Sequence, residues 1–294
     1  MVNHLHCVGY GYTARAVARR LDRNRWTVSG TTRDGARAAA LRQDEVKPVL
    51  WPDDAASAAA ASHLLISVPP SKPDQETTAP CPALGALAPL LADAPGVRWI
   101  GYLSSNGVYG DHGGGWVDED TPANPTTPRG RRRLAAETAW RDFTRTQPMP
   151  VEATILRLPG IYGPGRSALD SVRSGTAKRI IKQGQVFSRM HVDDIARAVI
   201  RAMTIEPAET LFNLCDDEPA PPQDVISFAC DLLGVTPPPI QSLAQANLSP
   251  MGLSFYADNK RVRNQRMKDR LGITLHYPSY REGLTALFEA SRET

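Results

Sequence analysis

The sequence predicts a doubly wound parallel α/β fold with a smaller second lobe. Three observations predict it. Short apolar runs of strand length alternate with amphipathic helical stretches along the first two thirds of the chain. The first strand runs straight into a glycine-rich turn that opens a helix. The strands read as continuous apolar runs, as strands buried on both faces do. Right-handed crossovers then place helices on both sides of one sheet.

The elements follow in order. Leu5 to Val8 is an apolar run stopped by Gly9. Ala14, Val17, Ala18 and Leu21 recur at i, i+3, i+4, i+7 and form one face of a helix. Trp26 to Thr31 is the second strand and Val49 to Trp51 the third, with an alanine-rich helix from Gly35 to Arg42 between them. Leu64 to Val68 is the fourth strand, ended by Pro69-Pro70. A helix from Leu84 to Leu91 leads to a fifth strand, Val97 to Leu103. A helix from Leu134 to Thr144 leads to a sixth, Ala153 to Leu158. Ile195, Val199 and Ala202 mark a helix for which Asp193 is the expected cap. Leu211 to Leu214 reads as one more strand. Proline-rich breaks at 219–222 and 237–239 punctuate the remainder. The expected division assigns 1–166 and 189–218 to the nucleotide-binding part, and 167–188 with 219–294 to the smaller lobe.

Composition narrows the classes. A chain of 294 residues with 41% hydrophobic and 22% charged residues is ordinary for a protein with a buried core. A net charge of +3 gives no field that argues for nucleic acid or a membrane surface. The 4 cysteines, Cys7, Cys81, Cys215 and Cys230, are far apart and suit a reducing compartment. No apolar stretch reaches the ~18 residues of a membrane span, and the first strand begins too early for a cleavable leader. A cytoplasmic protein is expected.

Gly9-Tyr10-Gly11-Tyr12-Thr13-Ala14 carries the G-x-G-x-x-G/A pattern of a dinucleotide-binding loop. The first glycine permits the tight turn. The second lets the backbone approach a pyrophosphate, and the small third residue lets helix pack on strand. The expected fold is therefore of the Rossmann type, with Gly9, Gly11, Tyr12, Thr13 and Ala14 at the cofactor. The second strand ends in Thr32-Arg33, where an NAD-binding protein carries an acidic residue for the ribose hydroxyl. Arg33 can instead pair with a 2′-phosphate, with Arg15 as a helper. NADP(H) is the expected cofactor, with NAD the alternative.

Four motifs in order carry a resemblance. They are the glycine loop, Leu103-Ser104-Ser105-Asn106-Gly107-Val108-Tyr109-Gly110, the segment Leu156 to Gly165 (LRLPGIYGPG), and His191-Val192-Asp193-Asp194-Ile195. Together they resemble the extended or atypical short-chain dehydrogenases/reductases, the group called NAD-dependent epimerases/dehydratases. The resemblance implies Ser105 as the residue that holds a substrate oxygen and Pro159 as a cofactor contact. It also implies a Tyr-x-x-x-Lys pair on the following helix. Arg129 and Arg133 stand at those two places. A guanidinium with a pKa above ~12 holds an anion but is no general base near neutral pH. Tyr109, His112, Tyr162 and His191 are the other candidates for a proton carrier. Asn106-Gly107 stands where a dehydratase of the group has an Asp-Glu pair, which argues against sugar dehydration.

Other signals carry less. His4, His6 and Cys7 cluster in sequence, but in a strand Cys7 faces away from the two histidines, too few ligands for zinc. Asp193 is read as a cap and Asp194 as solvated, so no metal is expected. The basic stretch Lys260 to Arg270 lacks aromatics to stack bases, and a solvated helix face is the expected reading. Expected functions are an NADP(H)-linked oxidoreductase or epimerase-like enzyme on a small polar, anionic or sugar-like molecule, or a binding protein that has lost catalysis. A homodimer is compatible with either.

Overall fold

The structure, a computed structural model, describes residues 2–53, 55–71, 79–91, 94–146, 151, 153–205 and 210–292. Seven strands form its main sheet: β1 (Asn3–Val8), β2 (Trp26–Thr32), β3 (Lys47–Leu50), β4 (His63–Ile66), β5 (Trp99–Ser105), β6 (Ala153–Leu158) and β7 (Leu211–Asn213). Their spatial order is β3-β2-β1-β4-β5-β6-β7 and every pairing is parallel. The order reverses between β1 and β4, which opens a crevice at their carboxyl ends.

Alternation along the strands sends side chains to two cores. Leu65 and Leu156 face one core with helices α1 (Tyr12–Arg20) and α4 (Val192–Thr204). Leu64, Ile66 and Ile155 face the other, under α2 (Pro82–Leu91) and α3 (Pro128–Thr146). Helix α4 presents Ile195, Val199 and Ala202 to the first core, as its spacing requires.

A second lobe gathers Leu169, Ala220, Val225, Ala229, Tyr280 and Leu284 around its own small core. The segment 265–275, within the range expected for that lobe, instead lays Met267, Leu271, Ile273 and Leu275 into the first core of the main sheet. Among the described residues no helix is long and apolar enough to cross a membrane.

Two expectations about α4 do not hold. His191, not Asp193, is the cap: its Nδ1 accepts the Asp193 amide at 3.2 Å. Asp193 instead pairs with Arg20 on α1 at 2.7 Å. Asp194 is fully buried rather than solvated. It accepts from Arg197 at 2.8 Å and from the backbone amides of His276 and Tyr277 at 3.1 and 2.9 Å. It ties the C-terminal segment to the main domain. Among the described residues no group of three or more His, Cys, Asp or Glu is placed to hold a metal ion.

The amino ends of the strands hold a titratable group that limits acid stability. His63 is buried between the rings of Trp26 and Trp99, 4.7 and 6.3 Å away. Burial, with the charge of Arg98, pushes its pKa down to about 4. Above the unfolded value of ~6.5 both states hold the ring neutral and it contributes nothing. As pH falls below that, the unfolded chain takes up a proton that the folded chain refuses. Stability should therefore drop between ~6.5 and ~4, by about 3 kcal/mol in all. Urea melts followed by tryptophan fluorescence at pH 7 and 4.5 measure this. The wild type should lose more than a His63→Phe variant by about 2 kcal/mol; parallel losses would refute the assignment.

Candidate functional site

The site is built at the crevice between β1 and β4. Gly9 has φ +90°, and a Cβ there would lie 2.9 Å from Val68 Cγ1, so only glycine fits. Its amide donates to Thr31 Oγ1 at 2.6 Å, and the Tyr10 amide donates to Thr31 O at 3.0 Å. Gly11 caps α1 with extended backbone, and a Cβ there would meet nothing within 4 Å. That open space lies directly before the first turn of α1, which has no acidic residue and no capping side chain. Such a turn offers free amides and positive potential to an anion. Ala14 is fully buried, which explains its size. Tyr12 reaches across the crevice: its hydroxyl donates to Pro164 O at 3.0 Å, and Arg166 lies over its ring at 5.6 Å.

On one side of Gly11 is a cavity of about 650 Å³ lined by Gly9, Thr32, Arg33, Asp34, Arg37 and Trp51, among others. Thr32 Oγ1 accepts the Asp34 amide at 3.2 Å, and the Asp34 carboxylate accepts the Ala36 amide at 2.9 Å. Arg33 and Arg37 are exposed on its rim. The expected help from Arg15 is not there. Arg15 Nε donates to Asp44 at 2.6 Å, and Arg19 pairs with the same carboxylate at 2.8 Å. Burial pushes Asp44 up, but these two guanidiniums hold it below the usual carboxylate range. Arg37 is the second cation on this rim, four residues beyond Arg33, and sequence spacing alone gave no sign of it.

On the other side is a cavity of about 720 Å³. Tyr12, Thr13, Ser105, Arg129, Arg133 and Pro159 all line it, so the residues singled out in three separate motifs converge. Ser105 Oγ accepts the Gly107 amide at 3.2 Å, which holds the turn after β5. Arg133 donates to Tyr102 Oη at 2.9 Å and Leu103 O at 3.0 Å. Arg129 lies over the Phe255 ring at 5.4 Å. Burial lowers its pKa, and Arg133 and Arg132 add to that. Arg166, Arg189, Tyr256, Asp258 and Lys260 line the same cavity.

The four other proton-carrier candidates lie outside this cavity. Tyr109 is buried and donates to Asn213 Oδ1 at 2.8 Å. Tyr162 donates to Ser279 O at 3.2 Å, His191 caps α4, and His112 contacts Tyr109 O at 3.1 Å. Lys260, expected on a solvated helix, is buried. Its Nζ donates to Gly110 O at 2.7 Å and lies 3.6 Å from Asp258 Oδ2. Burial lowers its pKa. The expectation failed because the stretch is not one helix. Arg261–Val262 pairs as a strand with Trp116–Val117, and the helix is only Gln265–Leu271.

A parallel sheet of this order, with an open glycine turn before a helix at its switch point, defines a doubly wound fold of the Rossmann type. The comparisons with known proteins agree. The model of the NAD-dependent epimerase/dehydratase family matches residues 86–215. A functionally unknown conserved protein of Silicibacter pomeroyi is 44% identical over the whole of both chains, with a TM-score of 0.88. The dTDP-glucose 4,6-dehydratase of Bacillus anthracis, in complex with NAD, shares the fold at 16% identity and a TM-score of 0.79, covering 100% of this chain and 97% of that one. The UDP-glucuronic acid 4-epimerase of Bacillus cereus, in complex with UDP-glucuronic acid and NAD, does so at 15% identity and 0.77, covering 99% of each chain. No curated protein matches the chain. Residues 86–215 therefore carry an NAD-dependent epimerase/dehydratase family domain.

Proposed function

We propose that this protein is an NADP(H)-dependent oxidoreductase or epimerase-like enzyme that acts on a small polar molecule with an anionic or sugar-like group. One observation carries the reading. The larger cavity opens onto the dinucleotide turn and is lined by Arg129, Arg133, Arg166, Arg189 and Lys260, against the single carboxylate of Asp258 among the described lining residues. Gly9, Gly11, Tyr12, Thr13 and Ala14 would hold the dinucleotide, whose nicotinamide supplies hydride transfer when bound. Thr32, Arg33 and Arg37 would hold its adenosine end, and Pro159 its nicotinamide end. Ser105 would orient a substrate oxygen. Arg129 and Arg133 would draw an anionic group toward it and stabilise negative charge that develops there. Lys260, its pKa lowered by burial, is the cavity-lining ammonium best suited to deliver a proton to that oxygen. The similar epimerase that holds UDP-glucuronic acid supports an anionic sugar-like ligand. The division into a nucleotide-binding part and a substrate lobe belongs to the same reading.

A second reading has its own observation. Arg129 occupies the place of the family's tyrosine, and no histidine lines the larger cavity among the described residues. A protein that binds NADP(H) as a regulator, without turnover, also fits that arrangement.

Calorimetry with NADPH and NADH on the purified protein tests both. NADPH should bind more tightly, and Arg33→Ala should weaken it by about 10-fold while leaving NADH within about 2-fold. Equal affinities for the two cofactors would remove the NADP assignment, and no binding to either would remove the whole reading. With binding established, a steady NADPH absorbance across a panel of anionic carbonyls and sugar nucleotides would favour the regulator.

A further inference from the structure

Among the described residues the two cavities share two lining residues, Gly11 and Ser67. Gly11 lies before the free amides of α1. Ser67 faces it from the end of β4. The Ser67 amide donates to Val8 O at 2.9 Å, which continues the β1–β4 ladder one residue past the strand and fixes where its side chain starts. Alternation then puts Ser67 on the same side of the sheet as Leu65, the side covered by α1. Pro69-Pro70 turn the chain away immediately afterwards. Val68 closes against Gly9, so the chain at Ser67 has little room to move.

The Ser67 hydroxyl is buried and has no hydrogen-bond partner. A buried hydroxyl without a partner is a net cost to the fold. Serine has three staggered positions about its one side-chain torsion, and the one occupied here satisfies nothing. An alanine would be the cheaper residue if packing were the whole requirement.

We propose that Ser67 Oγ is a hydrogen-bond donor to the pyrophosphate of the bound dinucleotide. The inference rests on the dinucleotide reading above and extends it to a residue outside the glycine turn. A dinucleotide whose adenosine end lies in the smaller cavity and whose nicotinamide end lies in the larger must pass between Gly11 and Ser67, and its bridging group is the pyrophosphate. The amides of α1 face that group from one side. Ser67 completes its shell from the other with a charge-assisted bond.

Two ligands separate this role from a general effect on the cleft. NADPH carries the pyrophosphate, whereas adenosine 2′-monophosphate carries the same adenosine end without it. Ser67→Ala should weaken NADPH about 10-fold and leave adenosine 2′-monophosphate within about 2-fold. The ligand-free variant should melt no lower than the wild type, since it loses an unpaired hydroxyl. Unchanged NADPH affinity in the variant would overturn the Ser67 role and leave the dinucleotide reading standing. Equal weakening of both ligands would overturn it too, by showing a distorted cleft. A wild-type protein that binds no NADPH would remove the dinucleotide reading, and the Ser67 role with it.

Discussion

Gly11→Asp should abolish NADPH binding while leaving the ligand-free protein as stable as the wild type or slightly more so. The two effects have opposite signs because they act on different states. In the ligand-free protein Gly11 has extended backbone with φ −102°, a conformation any residue adopts, and an added Cβ meets no atom within 4 Å. It is also the N-cap of α1, where a carboxylate accepts first-turn amides and complements the helix dipole, worth a few tenths of a kcal/mol over glycine. The same carboxylate would stand where the pyrophosphate must lie. It would take the amides that should hold the phosphates and repel their charge. The expected loss in affinity is ~100-fold or more. Thermal melts and calorimetry on one preparation read both effects. A variant that still binds NADPH would place the dinucleotide elsewhere and remove the cofactor assignment. Gly9→Asp is the contrasting case. Its φ of +90° and the 2.9 Å approach of Val68 make any side chain a defect of the fold itself.

The contrast between these two glycines shows what the sequence makes legible. Periodicity and the glycine spacing are local properties. They were enough to place the strands, the turn at 9–14 and the helix behind it; Ser105, Arg129 and Pro159 were singled out by the family resemblance, and the structure lines one cavity with all three. What they did not show were roles set by partners far along the chain. Asp194 reads as a solvated acid until His276 and Tyr277 are seen to donate to it. Arg15 reads as a phosphate ligand until Asp44 appears beside it. Lys260 sits in a run of basic residues that mimics a solvated helix, and only the pairing of Arg261–Val262 with Trp116–Val117 turns it inward. Ser67 gave no signal at all, because a serine after a strand is common. Its meaning comes from an unpaired hydroxyl at the junction of two cavities.

The largest expected effect on stability lies behind the site, at Glu137. It follows Arg133 by one helical turn on α3, and both it and Arg157 on β6 are buried. Arg157 clasps it with two bonds, Nε to Oε1 at 3.1 Å and Nη2 to Oε2 at 2.8 Å, and Ser104 Oγ donates to it from β5. Arg157 also lies over the Tyr109 ring at 4.7 Å, and Tyr109 in turn donates to Asn213 on β7. One carboxylate therefore ties α3 to two neighbouring strands, and through Arg157 and Tyr109 the contacts reach a third. Glu137→Ala leaves the Arg157 charge in the core with no counter-charge, a loss of about 3–5 kcal/mol. In a chain of this size that lowers the melting temperature by about 10 °C. Removing both charges is a smaller insult than removing one. Glu137→Leu with Arg157→Met should recover more than half of the loss, and a double-mutant cycle measures the coupling. If the double variant melts lower than either single one, the pair stabilises the fold on its own account, and the desolvation argument fails. The double variant also tests the site. Arg129 and Arg133 are on the same helix as Glu137, so a core that is stable but no longer clasps α3 should bind NADPH more weakly. A cofactor affinity untouched by the loss of this clasp would show that β5 and the turn at Ser105 are enough to position α3.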